Sequence, residues 1–243
     1  MATSQQSFEA LIGRFKAGNT LLQSWVDFLP SNPLIQKAAL ATFVTDVEAA
    51  NMLVASTKTT LDDARAARHA LVFIDKDTNP SCLDRRIMQI ATYLEGEVGK
   101  SHPAAKFVRS IRKKMRPKYA KKPAGTPRGA GTSPMERSNA AAVGQAQEVI
   151  SRITALGVAY KPADNNLKVP GMTTIVDQII AANQTVSTAL DNYGNANRAR
   201  KALYDTSTGI RQREVNIKGY LTSFSGGKKS NHYIEYAQAV KGS

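Results

Sequence analysis

The chain has 243 residues, of which 42% are hydrophobic and 7% aromatic, with a formal net charge of +14 and one cysteine. The lone Cys82 excludes an intrachain disulfide framework and a cysteine-rich metal site. Residues 1–11 lack the basic-then-apolar order of a secretory signal, and no run approaches ~18 apolar residues, so no transmembrane segment is expected and a cytoplasmic protein is.

Residues 8–29 place Leu11, Ile12, Phe15, Leu22, Trp25, Val26 and Leu29 at helical spacing and stop at Pro30 and Pro33. From 34 to 75 neither proline nor glycine intervenes. There Leu40, Phe43, Val47, Ala50, Val54, Thr57, Leu61, Ala64, Arg68 and Leu71 keep strict 3–4 spacing. Such a seam predicts a long helix, about 60 Å at 1.5 Å per residue, that needs partner helices along its length. Asp75, Asp77 and Asn79 mimic the opening of a calcium loop. Pro80 stands where that loop needs glycine and Arg86 where it needs glutamate, so turn residues are expected and no metal. Residues 82–98 and 102–115 read as two shorter amphipathic helices, the second ending before Pro117.

The excess charge has one address. Between 98 and 135 there are eleven Lys or Arg and no Asp or Glu. Residues 118–134 within it are too rich in proline and glycine for helix or strand and read as an extended linker. Ser133, Pro134 and Glu136 then have the order of a helix entry. Helices are expected over 142–160, along a second seam, and over 210–224 and 231–240. The seam runs Met172, Ile175, Ile179, Ala182, Val186, Ala189, Tyr193, Ala196, Arg200, Leu203, with Gly194 as a candidate kink.

The two seams are related. Residues 35–71 lie on 167–203 without a gap, with 11 of 37 positions identical, including Ala49-Ala50-Asn51 on Ala181-Ala182-Asn183 and Arg68 on Arg200. The likeness resumes at Tyr93-Leu94 on Tyr220-Leu221 and at Lys100-Ser101 on Lys229-Ser230. A period this long predicts two tandem domains rather than a solenoid. The expected fold is all-α: two duplicated antiparallel three- or four-helix bundles, each with a long central helix, at 1–116 and 136–243, joined by a basic linker at 117–135.

Candidate chemistry follows the charge. Lys106, Arg109, Arg112, Lys113, Lys114, Arg116, Lys118, Lys121, Lys122 and Arg128 form a helix end and a basic tail able to neutralise several phosphates. Tyr119 and Phe107 are the only aromatics nearby, which gives base stacking little support. The ordinary alternative is a solvated, lysine-rich joint. Arg68 and Arg200 share one seam position, and a charge there is costly unless a carboxylate, a helix end or a bound anion meets it. The ordinary alternative is that each snorkels to water near its helix end. Ser225-Gly-Gly-Lys-Lys-Ser230 has Thr222 where a phosphate loop needs its upstream glycine and Lys229 where it needs Ser or Thr after the first lysine, and a glycine helix cap with dipole-compensating lysine explains it. His69, His102 and His232 are scattered, and no catalytic residue or cofactor is expected. Two functions remain. One is non-enzymatic, sequence-independent binding of nucleic acid or another polyanion through the basic segment. The alternative is a structural protein assembling into a homo-oligomer or filament from its duplicated bundles.

Overall fold

The computed structural model describes residues 4–73, 81–115 and 134–241, which are helices joined by short turns with no β-strand among them. The protein is all-helical. The helices are α1 (Ser4–Ser24), α2 (Lys37–Val72), α3 (Leu83–Val98), α4 (Pro103–Met115), α5 (Pro134–Thr154), α6 (Val169–Asp205), α7 (Ile210–Leu221) and α8 (Asn231–Lys241). The calcium-loop mimic at 75–79 and the expected linker through 133 lie outside the described residues.

Both seams are the buried faces of their helices. On α2, Leu40, Phe43, Val47, Val54, Leu61 and Arg68 are buried; on α6, Met172, Ile175, Ile179, Val186, Ala189, Ala196 and Arg200 are. Gly194 causes no break, and α6 runs unbroken through it. Helices α1 and α5 end well before periodicity suggests, and α7 stops at Leu221 rather than 224. The chain leaves α1 at Ser24 so that Phe28 can be fully buried beside the Tyr220 ring, 5.3 Å away, and Leu29 N donates to the Tyr220 hydroxyl. Val26 and Leu29, expected on the apolar face, are 88% and 76% exposed. Likewise α5 ends at Thr154, Tyr160 packs edge-on against Tyr93 at 5.4 Å, and Lys161 N donates to the Tyr93 hydroxyl.

The chain forms two compact units, and they do not follow the expected boundaries at 1–116 and 136–243. One comprises residues 1–59 with 191–243, the other residues 60–190. Each long helix therefore serves both: the first part of α2 and the last part of α6 belong to the first unit, the remainders to the second. The reason is geometric. A seam that stays apolar over ten turns has more face than one short helical pair can cover, so its two ends find different partners.

In the first unit α1 packs on α8 and α7, around Phe15, Leu22, Phe28, Ile35, Leu40, Phe43, Tyr204, Ile217, Leu221 and Tyr236. Gly18 lets α1 approach α8, because a Cβ there would lie 2.8 Å from both the Tyr236 ring and the Val240 side chain. In the second unit α3, α4 and α5 pack on one another around a more aliphatic core. Ile87, Ile90, Leu94, Val108, Ile111, Val149, Met172 and Ile179 are joined there by Ala104, Ala105, Ala142 and Ala146, all fully or almost fully buried. Buried alanine at these positions is what allows three helices to close on each other.

A buried arginine fastens each unit. In the second, Arg86 on α3 donates from Nε to Ser81 O (2.7 Å) and from Nη1 to Gly171 O (2.7 Å) and Asn166 O (3.4 Å). In the first, Arg213 on α7 donates from Nε to Thr208 O (2.9 Å) and from Nη1 to Leu34 O, its guanidinium 3.9 Å from the Phe43 ring centroid. Burial lowers the pKa of both guanidinium groups, the cost their hydrogen bonds offset. Both arginines tie a helix to the turn that opens a long helix, and Gly171 fits that turn because a Cβ there would meet Asn165 O at 2.3 Å.

Among the described residues one helix, α2, is long and apolar enough by length and composition alone to cross a membrane, with an 18-residue window of mean hydropathy 1.3, where the sequence led us to expect none. Only 22% of that window is buried, its seam residues among them, and the helix also carries Asp46 and Glu48, the latter ion-paired to Lys16.

Because each unit contains residues from both sides of 117–133, cutting the backbone there is expected to leave two fragments that co-elute at the intact mass in size-exclusion chromatography. Fragments that separate and stay folded singly would show that residues 1–116 and 136–243 are independent domains after all.

Candidate anion-binding site

Helix α4 begins with Pro103 in its first turn, and His102 Nδ1 accepts from Ala104 N at 3.2 Å, closing the amino-terminal end. Ala104 and Ala105 are fully buried, as are Val108, Ile111 and Met115 at three- to four-residue spacing from Ala105. The intervening positions carry the charge: Lys106, Arg109, Lys113 and Lys114 are exposed and Arg112 is half-buried. Arg116, Lys118, Lys121, Lys122 and Arg128 lie outside the described residues.

Two of these cations are held by carboxylates on α3. Arg112 makes a two-pronged contact with Asp84, Nε to Oδ1 at 3.0 Å and Nη2 to Oδ2 at 3.3 Å. Asp84 is only 2% exposed and sits in the first turn of α3, where the helix dipole favours a negative charge. Arg109 pairs with Glu95 through Nε and Nη2. A fork of this kind fixes where a guanidinium lies while leaving other N–H groups to donate. Between the helices runs a groove of about 400 Å³. Met88, Ala91 and Thr92 form its α3 wall, and Arg109, Arg112 and Lys113 its α4 wall.

The seam arginines have different surroundings. Arg68 and Arg200 are 7% and 5% exposed, so neither snorkels to water. Arg68 Nη1 lies 3.5 Å from Asn183 Oδ1. Arg200 Nη2 donates to Asn197 Oδ1 at 2.9 Å, and its guanidinium lies 4.7 Å from the Phe8 ring centroid. Side-chain amides, and for Arg200 an aromatic face, stabilise these charges as part of the packing.

Cys82 precedes α3 with its side chain buried, and burial pushes its thiol pKa up, away from thiolate reactivity. Among the described residues no three His, Cys, Asp or Glu side chains cluster to hold a metal ion. The glycine of the Gly-Lys-Ser corner at 99–101 is a helix cap: Gly99, at φ +89°, donates from its N–H to Glu95 O and ends α3.

Reading residues for charge found the α4 cations but missed Asp84, Glu95 and the wall at Met88, Ala91 and Thr92. Asp84 had one signal, its place in the first turn of a helix. Arg86 and Arg213 were also missed, although the register that sets Tyr93 on Tyr220 sets one upon the other.

No protein-family model matches the chain, and neither a curated protein nor a solved structure matches it.

Removing the carboxylate from beneath Arg112, as in Asp84→Asn, is expected to cost about 1–3 kcal/mol in urea unfolding, the penalty for stranding a charged hydrogen-bonding partner. Arg112→Gln in the same background should then cost little more. A loss below about 0.5 kcal/mol would show that the pair does not position Arg112.

Proposed function

We propose that this protein is a non-enzymatic helical protein that binds a polyanion, nucleic acid foremost, without sequence preference, through α4 and the basic residues that follow it to Arg128. The observation that carries the reading is an asymmetry of charge between comparable helices. The register that sets Lys100-Ser101 on Lys229-Ser230 sets Lys106 on Glu235 and Arg109 on Gln238. The likeness that sets Tyr93 on Tyr220 sets Asp84 on Arg211. Helix α8 packs against α1 as α4 packs against α5, yet has one basic residue in its last turn against three in α4. Packing therefore asks for no such concentration of cations. Dipole compensation at a helix end asks for one or two. The surplus is best explained by an anion outside the chain.

The same reading takes the chain as a duplication whose copies exchange halves. Arg86 with Arg213 and Tyr93 with Tyr220 make like contacts to the turns that open α6 and α2, each contact joining one copy to the other. It also places the protein in the cytoplasm, where nucleic acid and a reduced thiol such as Cys82 coexist. A second reading, assembly of many copies, draws on the exposed apolar side chains Val26, Leu29, Met52 and Leu53 of the first unit. Static light scattering that stays at the mass of one chain at high concentration and physiological salt would sink it.

Polyanion binding predicts a salt law. Fluorescence anisotropy on a labelled oligonucleotide between 50 and 200 mM salt is expected to give log affinity falling linearly with log salt, at a slope near −0.7 to −0.9 per phosphate neutralised. Lys106→Glu, Lys113→Glu and Lys114→Glu together alter only exposed positions. They should lower affinity about tenfold or more and flatten the slope by roughly three. Affinity and slope unchanged in the triple variant would refute the assignment of this face.

A further inference from the structure

We infer that the α3–α4 groove seats one base of a single-stranded nucleic acid, so that the protein prefers single strands to duplex. The inference rests on the polyanion reading above and adds the form of the partner. The groove's two walls differ in kind. On the α4 side stand Arg109, Arg112 and Lys113; on the α3 side stand Met88, half-buried, Ala91, buried, and the exposed Thr92, none of them charged. A phosphate needs the first wall and has no use for the second. A nucleobase, flat and largely apolar on its faces, fits the second. A strand with its backbone along α4 and one base turned inward uses both.

The dimensions agree. About 400 Å³ lies at the lower end of the roughly 300–1,000 Å³ of small-ligand sites, room for one base rather than for a duplex edge. Met88 supplies the contact that aromatic residues supply elsewhere, since a thioether is polarisable and packs favourably on aromatic rings. Phe107, the described aromatic on α4, is engaged with the Arg152 guanidinium at 5.8 Å, on the helix face that meets α5, and is not part of the groove. Positioning is already in place. Asp84 and Glu95 hold Arg112 and Arg109 against α3, which keeps the cationic wall at the groove's edge rather than spread in solvent. In a duplex the bases are stacked and paired, and bringing one out costs several kilocalories per mole, so duplex reaches only the cations.

The two modes predict opposite orders of affinity. Duplex carries phosphate charge more densely than a single strand, so binding by phosphate contact alone favours duplex. Binding that also seats a base favours the single strand and requires the base. The test uses the full chain at one salt concentration with three probes of equal length: a single-stranded oligothymidine, the same backbone with abasic sites throughout, and a duplex. The expected result is a single strand bound about five- to tenfold more tightly than either other probe. Met88→Ala should remove most of that advantage while leaving the salt slope and the duplex affinity where they were. Three probes bound alike, or duplex bound best, overturns the groove while the polyanion reading stands. An advantage for the single strand that survives in Met88→Ala also overturns it. Failure to bind any of the three at low salt overturns both.

Discussion

A helix of 36 residues with one apolar face along its whole length cannot bury that face inside a single small bundle. Nearly everything else in this molecule follows from that constraint, which α2 and α6 share. Each seam is covered by one set of helices at its start and another at its end, and one compact unit joins the two ends of the chain while the other is its continuous middle. The buried arginines answer the same constraint. Where α2 and α6 begin, the chain must turn tightly out of the preceding segment, leaving backbone carbonyls in a poorly solvated place. Arg213 and Arg86 satisfy those carbonyls with donors that cannot be lost at any ordinary pH. A lysine would reach with a single point charge, and the planar fork bridges two segments at once.

The helices were legible in the sequence because periodicity reports which face of an element is apolar. It does not report what covers that face, and the compact units divide the chain elsewhere than at 1–116 and 136–243 for that reason. Identity between copies pointed to repeated architecture, but two repeats that each close on themselves and two that complete each other have the same sequence signature. Arg68 and Arg200 illustrate a related blindness. Position near a helix end suggested escape to water, whereas Asn183 and Asn197, on the same long helix α6, offer the amide oxygens that keep these charges inside. Val26 and Leu29 show the reverse. Their spacing extended α1 on paper, while burying Phe28 mattered more than one further helical turn.

The candidate site was legible only on its cationic side. Charge is visible residue by residue, so the α4 cations could be read directly. The carboxylates beneath them could not, since Asp84 and Arg112 are brought together by the packing of α3 on α4 across 28 positions. Nor could the groove's neutral wall, because Met88, Ala91 and Thr92 look like any stretch of an amphipathic helix. What the fold contributes is juxtaposition of an uncharged strip with two guanidinium groups held in place by carboxylates, and the proposed selectivity rests on that addition.

Like charges on one helix repel, and the repulsion falls with distance only as far as salt screening allows, about 8 Å at physiological ionic strength. Residues 106, 109, 112, 113 and 114 all lie within two to three turns of α4, close enough to resist confinement. Asp84 and Glu95 relieve two of the five, at the price of placing carboxylates where an apolar core residue would pack more cheaply. Helix α8 avoids both costs with Glu235 and Gln238 at the matching positions. A surface that is electrostatically strained when empty is one whose strain an arriving polyanion removes, and the affinity so gained depends on salt rather than on sequence. That is why the charge asymmetry between α4 and α8, more than the number of lysines, is the strongest argument for the polyanion partner we propose.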